Sequence, residues 1–78
     1  MAHLPGDKYQ VLTSAGGYTT LCGTWDSWRE AKHQRNEEFI SDFSIAAAWI
    51  MRYNDSLGSA REHYGHTLRR NKHERKRA

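Results

Sequence analysis

One cysteine, Cys22, is all that the 78-residue sequence holds. That excludes a disulfide framework within one chain. It also excludes a zinc site built from four cysteines, or from two cysteines and two histidines. Apolar residues are scarce at 37%, below the usual globular share. No run approaches the roughly 18 apolar residues of a membrane span. Residues 1–7 lack an apolar signal region. A reducing, cytoplasmic setting without membrane contact is the expectation. The chain is also too short for a multidomain enzyme, a dinucleotide-binding fold or an α/β barrel. With no covalent staples, so small a domain must draw its stability from aromatic packing or from self-association, for instance as a homodimer.

Catalytic constellations are missing too. There is no phosphate-binding loop, no G-x-S-x-G and no H-E-x-x-H. Glu30 and His33 form a single E-x-x-H, whereas a carboxylate-bridged di-iron bundle needs two such motifs and two further Glu residues. His63 and His66, three apart, read as helix-surface histidines. Cys22 falls among threonines, without the base and electropositive pocket that a nucleophile needs. The chain is therefore read as a non-enzyme, with no catalytic residue, metal ligand or cofactor assigned.

Aromatic residues and unevenly placed charge are what the sequence has in quantity. Six cations and eight carboxylates leave residues 1–68 at −2, while six cations and one carboxylate put residues 69–78 at +5. A mildly acidic body carries a strongly basic end.

Lys8 to Ser14 alternates as a strand, with Tyr9, Val11 and Thr13 on one side and Gln10, Leu12 and Ser14 on the other. Gly16-Gly17 supplies a tight turn. Tyr18 to Trp25 forms the second strand of a hairpin over residues 8–25, in which Gly23 marks a bulge or close packing. A lone hairpin is marginal in water, so a helix must cover one face. Ser27-Trp28-Arg29-Glu30 fits a capping box and starts a helix over 27–39, with Asp26 as a rival cap. Phe39, Phe43, Ala46, Ile50, Tyr53, Leu57, Ala60 and Tyr64 then follow a heptad-like 4-3 spacing. Phe43, Ile45, Ala47, Trp49, Met51 and Tyr53 also alternate as in a buried strand. Ala46-Ala47-Ala48 favours the helical reading, over 42–54. A third helix is expected from 60, running into the basic tail. The fold class is thus α+β, an N-terminal hairpin packed on two or three helices: one domain over 1–68 and a tail over 69–78.

Gly23-Thr24-Trp25-Asp26-Ser27-Trp28-Arg29-Glu30-Ala31 resembles the strand-to-helix junction of ethylene-response-factor type DNA-binding domains, which are related to the arm-binding domains of phage-type integrases. The resemblance implies a small sheet set against a helix and contact with DNA. The hairpin here lacks the Arg and Trp residues that read bases in those domains. In its short, Trp-rich build with a basic end, the chain is also similar to small accessory proteins of bacteriophages. That implies a host-protein partner and a host-cytoplasmic location.

Two functions follow as expectations. The first is a nucleic-acid-binding module, with DNA as the expected partner. Arg69, Arg70, Lys72, Arg75, Lys76 and Arg77 would contact phosphates with little sequence choice. The second is a phage-encoded modulator that binds a host factor through the aromatic surface of helix two, with Trp49, Arg52, Tyr53 and Tyr64 at the interface.

Overall fold

A computed structural model of the chain describes residues 4–70. Strand β1 (Asp7–Ala15) and strand β2 (Tyr18–Trp25) lead into helix α1 (Trp28–Ser41). Strand β3 (Ala47–Asn54), a 3-10 turn (Asp55–Leu57) and two short strands, β4 (Arg61–His63) and β5 (Leu68–Arg69), follow. Every pairing is antiparallel, and the sheet runs β2-β1-β3-β4. β5 also lies against β3, beside Ala47 and Ala48, while β4 lies beside Met51 to Tyr53.

The hairpin turns at Gly16 and Gly17, whose φ values of 58° and 86° are those glycine adopts without steric cost. The β1–β2 register slips between Val11 and Leu12, opposite Cys22 and Gly23. This bulge resets the alternation of β2. Leu21 stands opposite Leu12, but Trp25 stands opposite Tyr9 and turns to the other face. A Cβ on Gly23 would lie 2.5 Å from the Trp25 ring, so that ring folds back over the glycine. Ser27 caps α1, its hydroxyl accepting the Glu30 N–H at 3.2 Å.

The expectation of two or three helices is overturned: among the described residues there is one α-helix and a five-stranded sheet. The helix expected over 42–54 is a connection followed by β3. The helix expected from 60 is β4, a bend and β5. The alternating pattern wins because β1 has two edges to satisfy. β2 takes one, and β3 pairs with the other over eight residues, Asp7↔Asn54 to Ser14↔Ala47. Alanine's helix preference is below about 1 kcal/mol per residue. The ladder and the burial of Ile50 outweigh it. Gly65 marks the other misreading. Its φ is 80°, and a Cβ there would stand 2.5 Å from the Trp28 ring. It is a bend glycine that lets the chain pass against Trp28.

Helix α1 lies over β1 and β3. Tyr9, Val11, Ala31 and Ile50 form the core, with Cys22, Trp25, Trp28 and Tyr64 packed around it. Small side chains at Ala31 and Ala48, both fully buried, suit a helix set directly on a sheet. Tyr64 meets Tyr9 and Trp28 edge-on, with ring centroids 5.4 and 4.7 Å apart.

Polar locks close this layer. Asn54 donates to Asp7 Oδ1 at 2.9 Å and to the Pro5 carbonyl at 3.0 Å, and accepts from the Ser56 N–H and hydroxyl. Arg35, 5% exposed, donates to the His66 carbonyl at 2.7 Å and to Asn36, and ties the 64–67 segment to the helix. Burial lowers its pKa.

Candidate nucleic-acid interface

The sheet has a second face, opposite α1. Strand alternation and the observed registers place Gln10, Leu12 and Ser14 of β1 there, beside Thr19, Leu21 and Thr24 of β2. On the other side stand Ala47, Trp49, Met51 and Tyr53 of β3, then Arg61 and His63 of β4 and Arg69 of β5. Lys8 completes the row at the end of β1, paired with Asp26. That hydrogen bond, and the charge behind it, raise the Lys8 pKa.

None of these strand positions holds a carboxylate. The acidic strand residues turn the other way. Asp7 is buried against Asn54, and Glu62 pairs with Arg52. Burial pulls the Arg52 pKa down, but the hydrogen bond and charge of Glu62 more than offset it and leave it raised. The open face therefore carries Arg61, Arg69 and His63 around two aromatic rings, with Lys8 at its end already answered by Asp26. The guanidinium of Arg61 lies 5.2 Å from the centroid of Tyr53. The rings of Trp49 and His63 lie 6.4 Å apart.

The residues expected at a protein interface are divided by this geometry. Trp49 and Tyr53 share the open face. Arg52 and Tyr64 belong to the helix-covered side, where the Arg52 guanidinium lies 4.9 Å from the Tyr64 ring. No helix two presents all four. The residues expected at phosphates divide as well. Arg69 stands on β5, opposite Ala47. Arg70 is committed inward: its Nε donates to the Ile45 carbonyl at 3.0 Å, and its Nη2 to the carbonyls of Phe39 and Asp42. Its guanidinium packs against Phe39 and Phe43, 4.1 and 5.1 Å from their centroids. Its main-chain N–H reaches the Ala46 carbonyl at 2.8 Å. Arg70 thus clamps the α1–β3 connection. Lys72, Arg75, Lys76 and Arg77 lie outside the described residues.

Sequence reasoning missed Lys8, Gln10, Arg61 and His63 as members of one surface. The signal was the alternation from Phe43 to Tyr53, set aside for the alanine run. Among the described residues, no three His, Cys, Asp or Glu side chains group as a metal site, and no helix is long and apolar enough to cross a membrane. Comparison with known proteins finds no match among family models, curated proteins or solved structures.

Proposed function

We propose that this chain is a small non-enzymatic module that binds nucleic acid, with its basic C-terminal segment supplying the phosphate contacts. The observation that supports this most directly is the segregation of charge. The +5 segment begins at Arg69 on the sheet, on a face whose strand positions hold cations and aromatic rings but no carboxylate. Clustered cations bind phosphates by releasing counterions, whatever the base sequence. Arg69, Lys72, Arg75, Lys76 and Arg77 are the contacts in this reading. Arg70, held by the carbonyls of Ile45, Phe39 and Asp42, is not among them.

A mobility-shift series over salt concentration tests it, comparing the full chain with a chain ending at Arg70, which keeps the clamp. Four cations, Lys72, Arg75, Lys76 and Arg77, are removed with residues 71–78. The truncated chain should bind far more weakly. Its log K against log salt slope should be shallower by about 3 on single strands and nearer 4 on duplex. Undiminished binding would refute the proposal.

A further inference from the structure

We infer that a niche on the open sheet face, between Trp49 and His63, is a stacking site for an unpaired base, so that the preferred ligand is single-stranded nucleic acid; this rests on the nucleic-acid reading above. The niche holds about 280 Å³ and is lined by Ser14, Ala47, Trp49, His63, Thr67 and Arg69. That lies just under the range typical of sites for drug-sized ligands, and a flat heterocycle needs less room than a folded cofactor. Trp49 and His63 supply aromatic walls. The Ser14 and Thr67 hydroxyls each donate and accept, which suits a base edge. Arg69 brings a guanidinium suited to the phosphate, on the strand that leads into the basic segment.

The chemistry of the lining selects against other ligands. It contains no carboxylate, so nothing attracts a cation, and one imidazole with two hydroxyls makes no metal site. Tyr53, further along the same face, already has Arg61 beside its ring, which leaves Trp49 the better-placed stacking surface. In a duplex the base planes are covered by their neighbours, so aromatic rings on a sheet gain contact only with unpaired bases. Charge complementarity draws the strand to this face and stacking holds it.

Fluorescence anisotropy with labelled oligothymidylate, oligouridylate and a duplex of equal length decides the matter. It is run on the full chain, on Trp49→Ala, Trp49→Phe and His63→Ala, and on the chain ending at Arg70. The full chain should prefer the single strands. Trp49→Ala should weaken them about tenfold or more, with the duplex affinity and the salt slope unchanged. Trp49→Phe should restore most of the loss. His63 is exposed, so His63→Ala decides the question even if Trp49→Ala fails to fold, and it should also weaken single strands selectively. Equal affinity for single strands and duplex, with no effect of either substitution, would overturn the niche and leave the basic segment standing. Binding lost in Trp49→Ala but undiminished in the truncated chain would do the reverse. No binding to any oligonucleotide would overturn both.

Discussion

The two faces of one sheet have opposite chemistry. On the covered face, aromatic rings meet edge-on and three charges are answered within the chain: Arg52 by Glu62, Arg35 by the His66 carbonyl and Asn36, Asp7 by Asn54. On the open face, the same strands present Trp49, Tyr53, Arg61, His63 and Arg69 with no carboxylate at any strand position. The first arrangement is what stability requires, since a buried charge without a partner is costly. The second is suited to an anionic, ring-bearing partner. Stability and binding should therefore be separable by face.

The largest expected effect lies on the covered side. Ile50 is fully buried, so Ile50→Ala should cost about 2–5 kcal/mol. A domain this small holds only about 5 kcal/mol or little more, so urea titration should find the variant largely unfolded. A loss below about 1 kcal/mol would mean that the helix and sheet do not pack as described. Next comes Gly65→Ala. It combines an unfavourable positive φ with a contact 2.5 Å from the Trp28 ring, and should cost about 2–3 kcal/mol by the same titration.

Neighbouring arginines give the sharpest contrast. Arg70→Ala removes the donors to three carbonyls and should lower stability by about 1.5–2 kcal/mol. Arg69→Ala should leave stability within about 0.5 kcal/mol while weakening oligonucleotide binding. Equal behaviour of the two in melting and binding would erase the distinction.

The smallest effect concerns acid. The Asp42 carboxyl is held below its ordinary 3.8, first by the Ser44 hydroxyl and then by the Ser44 N–H, with Arg70 nearby. Because its pKa is depressed in the fold, its contribution is complete above the unfolded value. It is lost as the pH falls below about 4, through the folded value. Asp42→Asn should flatten the acid limb of stability against pH. An unchanged limb would show that the carboxylate adds nothing there.

Much of the first half of the fold was legible because its signals are local. Gly16-Gly17 dictates a tight turn, Ser27 a helix start, and Gly23 the bulge beneath Trp25. The second half was not, because two periodicities coexist. Phe43 and Tyr53 belong to both the heptad-like seam and the strand alternation, and the alanines between them tilt the local preference toward helix. Only the free edge of β1, a partner distant in sequence, decides between them. The candidate surface shared that fate. Arg61, His63 and Arg69 are scattered in sequence, and pairing with β3 brings them beside Trp49 and Tyr53. The charge imbalance of residues 69–78 was plain throughout, whereas the inward commitment of Arg70 depends on carbonyls at Phe39, Asp42 and Ile45 that no pattern announces.

The three tryptophans offer the most direct test. Trp25 and Trp28 pack against the core and Trp49 lies on the open face, so their indole N–H resonances report the two faces separately. Titrating the full chain with oligothymidylate at low salt should shift the Trp49 indole signal strongly while those of Trp25 and Trp28 hold still. A shift at Trp28 with Trp49 unmoved would contradict the account.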